Sequence, residues 1–111
     1  MTEVAVEHDS PIVREIVAHI VETMNPEKII LFGSWARGEA SADSDLDILV
    51  IQETDRPFET RGLEAVLGLR HLKLPLDLIT YTPEEWREVA AAERSFEASL
   101  AREGRTLYER S

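Results

Sequence analysis

Two segments carry the residue types that phosphate chemistry needs. Gly33-Ser34-Trp35-Ala36-Arg37-Gly38 follows the apolar run Ile29-Ile30-Leu31-Phe32, and Ser44-Asp45-Leu46-Asp47-Ile48-Leu49-Val50 comes six residues later. A glycine closing a strand lets the backbone approach a ligand closely, and free N–H groups at the start of a helical turn attract phosphate. Ser34 adds a hydroxyl donor, and Arg37 can hold a phosphate or pair with a carboxylate. In an extended strand, Asp45 and Asp47 point to the same face, roughly 7 Å apart. Carboxylates at that spacing can converge on metal ions set about 3.5–4 Å from one another. A phosphate cradle beside paired carboxylates is the minimum equipment for moving a nucleotide or a phosphoryl group.

Each element of this pattern has an ordinary alternative. Two acids on a strand can simply line a solvated face. Here the same strand carries Leu46, Ile48, Leu49, Val50 and Ile51, which reads as burial on both sides, where an unpaired acid is costly. Metal or substrate accounts for the acids better. Gly33-Ser34 alone would be an unremarkable strand-ending turn; adjacent strands placing it at the same rim as Asp45 and Asp47 changes its weight. Asp77 lies in another apolar run, Leu76-Asp77-Leu78-Ile79. It is the candidate for a third metal-binding carboxylate and for a general base toward an acceptor hydroxyl. Trp35 reads as packing, Gly38 as part of the turn, and Ser44 as a residue that caps or orients the acidic strand.

Competing motifs fail on spacing. Asp43, Asp45 and Asp47 imitate the first ligands of a calcium-binding EF-hand loop, but Ile48 stands where the glycine is required and Thr54 where the last ligand belongs. The glycine and lysine spacings of a Walker loop and of a dinucleotide fingerprint are absent. An Asp-x-Asp pair also occurs in sugar-nucleotide glycosyltransferases, which need a much larger domain. His8, His19 and His71 share no metal-ligand spacing and read as surface or helix-edge residues. Glu84, Glu85, Glu88, Glu93 and Glu97 read as helix caps and a solvated face.

The elements that must position these residues follow from periodicity and punctuation. Ser10-Pro11 is a helix start, and apolar residues from Ile12 to Val21 recur at helical spacing, predicting a helix over 11–24 that Asn25-Pro26 stops. Strands are expected at 28–32, 45–52 and 74–80, with one helical turn at 34–37 and a polar loop at 38–44. A helix is expected over 58–72, with Leu63, Val66, Leu67 and Leu69-Arg70 on or near its apolar side, although Gly62 and Gly68 weaken it. Thr82-Pro83-Glu84-Glu85 is a capping box opening a helix through Ala92. A further helix is expected from Arg94-Ser95 to Gly104, and Arg105–Tyr108 is a last short strand or a tail. The order implies a small α/β (α+β) domain with a mixed sheet flanked by helices.

Composition bounds the partners. The chain has 111 residues, 43% hydrophobic and 31% charged, which suits one soluble domain over 1–111. No apolar run has the length of a membrane span, the acidic N-terminus lacks the start of a secretory signal, and there is no cysteine. A cytoplasmic location is the expectation. The formal net charge of −10 argues against direct nucleic-acid binding, which needs a basic footprint. It suits a basic partner surface, or simply solubility.

Gly33-Ser34-x-Ala36-Arg37-Gly38, then Ser44-Asp45-Leu46-Asp47 and a later strand Asp, resembles the minimal nucleotidyltransferases of the DNA polymerase beta superfamily. The resemblance fills every motif position and covers nearly the whole chain. It implies that superfamily's fold and a metal-dependent transfer of a nucleoside monophosphate from a nucleoside triphosphate such as ATP, with release of pyrophosphate. Gly33 and Ser34, with Arg37, would then hold the triphosphate, while Asp45, Asp47 and Asp77 would bind Mg²⁺, two ions in this scheme, and carry catalysis. Stand-alone domains of this size are similar to antitoxins of toxin–antitoxin modules whose partner is a HEPN ribonuclease toxin. In that family the antitoxin adenylylates a tyrosine of the toxin. Two other readings stay open: transfer to a small molecule of the aminoglycoside type, whose enzymes usually carry an added acceptor-binding helical domain, and neutralisation of a partner by binding alone.

Overall fold

The computed structural model describes residues 10–40, 44–92 and 103–110. Helix α1 (Pro11–Met24) begins where Ser10 accepts the Val13 amide at 3.5 Å and ends where Asn25 turns left-handed. It buries Val13, Ile16, Val17, Ile20 and Met24. The Ile side chains among them each stabilise the fold by about 1.5–3 kcal/mol through burial.

Strands β1 (Lys28–Phe32), β2 (Leu46–Ile51), β3 (Leu76–Tyr81) and β4 (Arg105–Glu109) form a sheet in the order β3-β2-β1-β4. β2 runs antiparallel to β1 and parallel to β3, while β4 runs antiparallel to β1. The mixed sheet expected from the element order is therefore observed, and Arg105–Glu109 is a sheet strand rather than a tail. β1 and β2 are buried on both faces. Ile29, Leu31, Leu46, Ile48 and Val50 join the core under α1, while Ile30, Phe32, Leu49 and Ile51 form a second cluster against Tyr81 and Trp86. This topology decides where chemistry can sit. The end of β1, the start of β2 and the start of β3 meet at one rim.

The segment 58–72 departs from the expected single helix. It divides into a 3₁₀ turn at Phe58–Thr60, helix α2 (Leu63–Gly68) and another 3₁₀ turn at Arg70–Leu72. Gly62 sets the break: its φ is +76°, and a Cβ there would lie 2.6 Å from Leu78 Cδ2. The chain presses onto β3 at that point, which a continuous helix could not do. Leu69 is buried as expected, together with Ala65, whereas Leu63 and Leu67 are half exposed, against the expectation for the apolar side. The turn after β1 also differs slightly. Residues 34–38 form hydrogen-bonded turns rather than a helical element.

Helix α3 (Pro83–Ala91) opens with the expected capping box, Thr82 and Glu85 satisfying each other's backbone amides at 3.1 and 2.9 Å. The Glu85 carboxylate also receives the Arg61 guanidinium at 2.7 Å. That hydrogen bond first, then the one from the Thr82 backbone, holds its carboxyl below the usual range. His71 is exposed and lies 3.0 Å from Glu15, as a surface histidine should. His19 is not a plain edge residue: its Nε2 is buried, without a partner among the described residues, and its ring lies over Gly68. His8, Glu93, Glu97 and the helix expected from Arg94 to Gly104, apart from its last two residues, lie outside the described residues. Among the described residues, no helix is long and apolar enough to cross a membrane.

Candidate active site

One row across the sheet carries the site. Phe32 of β1 pairs with Asp47 of β2, and Asp47 pairs with Asp77 of β3. The parallel register of β2 and β3 thus places the two carboxylates side by side on one face. Burial, then the charges of Asp77 and Asp45, hold the Asp47 carboxyl above the ordinary carboxylate range. Asp45 stands just before β2 and is exposed.

The turn after β1 is built against this pair. Gly33 has φ +80°, and a Cβ on it would lie 2.5 Å from Asp47 Oδ2, so any other residue would be strained and would displace the carboxylate or the turn. The Ala36 and Arg37 amides close onto the Gly33 carbonyl at 3.1 and 3.3 Å. The Ser34 and Trp35 amides have no backbone partner among the described residues. Amides left without a backbone partner in such a turn are able to receive an anion. Trp35 packs against the core and donates its Nε1 to the Ser44 carbonyl at 3.3 Å, tying the turn to the lead-in of β2. Its packing role is as expected, and Ser44 orients the acidic strand through its backbone.

A cavity of about 490 Å³ opens at this rim. Its wall includes Gly33, Arg37, Asp47 and Asp77, but neither Ser34 nor Asp45. Arg37 donates its Nε to Glu39 at 2.8 Å, with both side chains more than half exposed. An exposed pair of this kind is weak and leaves the guanidinium able to turn to another anion. Phe32 and Ile79 supply an apolar floor, and Glu103 closes the β4 side. These last three are residues that sequence reasoning did not select. Nothing local distinguishes Glu103 among the acids near the end of the chain; only the pairing of β4 with β1 brings it here.

The nucleotidyltransferase domain family matches residues 11–99, which takes in the turn and all three aspartates. The chain belongs to this family. It is a nucleotidyltransferase. Two relatives from Methanocaldococcus jannaschii each bear the name "Putative protein adenylyltransferase". One is 33% identical over 82 residues, covering 74% of this chain and 78% of its own length. The other is 45% identical over 56 residues, covering 49% of this chain and 56% of its own length. Among solved structures, a toxin–antitoxin crystal structure with AMP-PNP shares the fold at TM-score 0.62 and 21% identity, over 87% of this chain and 73% of that one. A "putative nucleotidyltransferase from Sulfolobus solfataricus" matches at TM-score 0.52 and 25% identity, over 69% of each chain.

The nucleotidyltransferase therefore brings together Gly33, Arg37, Asp47 and Asp77, and keeps Asp45 at the margin, close enough for its charge to reach Asp47. Among the described residues, no three His, Cys, Asp or Glu side chains stand gathered in metal-ligating geometry. The Asp47–Asp77 pair is nonetheless chemically matched to a hard cation. Carboxylates crowded until one of them resists ionisation form an oxygen-donor set that a divalent cation relieves.

Proposed function

We propose that this nucleotidyltransferase moves AMP from ATP to a hydroxyl, a tyrosine, of a partner HEPN ribonuclease toxin, and so acts as an antitoxin. The observation that carries the reading is the cavity in which the Gly33 turn and the in-register Asp47–Asp77 pair meet. The relatives named as protein adenylyltransferases and the toxin–antitoxin neighbour with AMP-PNP support the choice of nucleotide and of a protein acceptor.

The parts divide as follows. The Ser34 and Trp35 amides and Arg37 hold the triphosphate, and the Gly33 backbone lets it approach Asp47. Mg²⁺, held by Asp45, Asp47 and Asp77, would supply charge neutralisation on the phosphate oxygens. The acceptor oxygen bonds to the α-phosphorus, the α–β bridging P–O bond breaks, and pyrophosphate leaves. Asp77 takes the hydroxyl proton. The relatives named as protein adenylyltransferases favour an acceptor supplied by another protein.

The test is label transfer from α-labelled ATP with Mg²⁺ in source-cell lysate, comparing wild type with the Asp45→Ala/Asp47→Ala variant. A labelled protein band seen only with wild type supports protein adenylylation, and its mass points to the acceptor. Label in a small molecule would instead indicate an aminoglycoside-type activity. No transfer at all would leave binding alone as the account.

A further inference from the structure

Glu103 is an acid on the wall of the same cavity, yet it does not belong with the other acids. β4 pairs antiparallel with β1, Arg105 opposite Leu31, so the chain enters β4 at the rim that holds Phe32 and Gly33. β2 and β4 flank β1 on opposite sides. Glu103 and Asp47 are thus separated by about two strand spacings, roughly 10 Å. Consistent with this, no third carboxylate joins Asp47 and Asp77 in metal-ligating geometry among the described residues.

The cavity wall divides by chemistry. Gly33 and Arg37 suit phosphate, Asp47 and Asp77 suit the cation and the reacting hydroxyl, and Phe32 and Ile79 offer apolar surface for the face of a base. A carboxylate set apart from the cation site repels phosphate and gains nothing from apolar contact. Beside the contact it already makes within the chain, it can accept hydrogen bonds from neutral donors in the cavity. A nucleoside carries such donors as ribose hydroxyls and as an exocyclic amine, whereas its phosphates carry none.

We propose that Glu103 is a specificity-determining residue that recognises the nucleoside half of the substrate by accepting hydrogen bonds from its ribose hydroxyls or its base amine. This rests on the reading of the cavity as a nucleotide site. Hydrogen bonds to a charged group are among the stronger ones, so loss of Glu103 should weaken nucleoside triphosphate binding by ~10-fold or more.

The experiment is calorimetric binding, in Mg²⁺, of the α,β-methylene analogue of ATP to wild type, Glu103→Ala and Glu103→Gln. The same titrations use the 2′-deoxy and 3′-deoxy analogues, the purine riboside analogue lacking the 6-amine, and inorganic triphosphate. Glu103→Ala should bind the ATP analogue ~10-fold or more weakly, while binding inorganic triphosphate as well as wild type or better, since a negative charge has been removed. Discrimination against one of the three trimmed analogues should vanish in the variant and so identify the donor. Glu103→Gln, which keeps an acceptor oxygen, should be intermediate, and it reports the same contrast if Glu103→Ala fails to fold. Equal binding of the ATP analogue by wild type and both variants overturns the inference alone. So does a loss that extends equally to inorganic triphosphate. Absence of any nucleotide binding by wild type overturns the reading of the cavity itself, and the inference with it.

Discussion

Asp47 and Asp77 occupy the same rung of two adjacent parallel strands, and both line one cavity. The pair crosses from β2 to β3, thirty residues apart in the chain, so the sheet rather than any local turn creates it. Two like-charged groups side by side store electrostatic tension that a bound cation would release.

That tension sets a stability prediction. The Asp47 carboxyl is held above its ordinary range in the fold, so the folded protein binds its proton more tightly than the unfolded chain does. Ionising Asp47 therefore destabilises the fold, with no effect below the unfolded pKa and the full cost above the raised folded one. Asp47→Asn should melt higher than wild type at neutral pH in the absence of divalent cations. The gain should shrink as pH falls into the ordinary carboxylate range. Mg²⁺ should raise the melting temperature of wild type more than that of the variant, and scanning calorimetry with and without chelator measures both.

The same substitution should cost about 10³-fold in nucleotidyl transfer, because the site loses a carboxylate that would hold the cation neutralising the phosphate oxygens. Higher stability with lower activity is the signature of a functional group, and label-transfer rates alongside melting curves read it. A variant that lost activity and stability together would mark Asp47 as structural.

Gly33→Ala tests the close approach. Its φ is +80°, and the new methyl would lie 2.5 Å from Asp47 Oδ2. We expect about 1–3 kcal/mol of destabilisation from the backbone conformation. Transfer activity should fall by more than the folded fraction explains, because the turn must move away from Asp47. Urea denaturation together with activity per folded molecule separates the two effects.

Gly62→Ala is the contrasting case. It is equally left-handed at +76°, but its neighbours are Leu78 and Thr80 rather than a site carboxylate. Destabilisation of about 2–4 kcal/mol is expected from strain plus overpacking. Activity per folded molecule should change far less than in Gly33→Ala.

Arg61 joins three parts of the chain. It donates to the Arg56 carbonyl at 2.9 Å, to the Thr80 carbonyl at 3.3 Å and to Glu85 at 2.7 Å, with its side chain only 8% exposed. Arg61→Ala should destabilise by about 2–3 kcal/mol at neutral pH. The Glu85 carboxyl is lowered chiefly by this arginine. Its contribution is complete above the unfolded carboxylate pKa and disappears as pH falls through the lowered folded one. The stability gap between wild type and Arg61→Ala should accordingly narrow in acid, which denaturation at a series of pH values would show.

Much of this protein was legible in its residues because the deciding forces are local. The Ser10-Pro11 start and the 3.6-residue periodicity define α1, the Thr82–Glu85 box defines the start of α3, and Gly33 ends β1 where a left-handed residue is needed. The motif residues Gly33, Asp45 and Asp47 stand out because glycine and acids are improbable beside buried apolar runs. Gly33 and Asp47 share one rim because consecutive strands β1 and β2 pair antiparallel, with Phe32 opposite Asp47. Long-range contacts decided the rest. The break at Gly62 answers to Leu78 across the core, and no periodicity within 58–72 contains that information. The partnership of Asp47 with Asp77 depends on the parallel register of β2 and β3, and the arrival of Glu103 depends on β4 pairing with β1. Side-chain chemistry is written residue by residue, but strand register is settled only when the whole sheet buries both of its faces at once, and a shift of one residue would turn every one of these carboxylates to the other side.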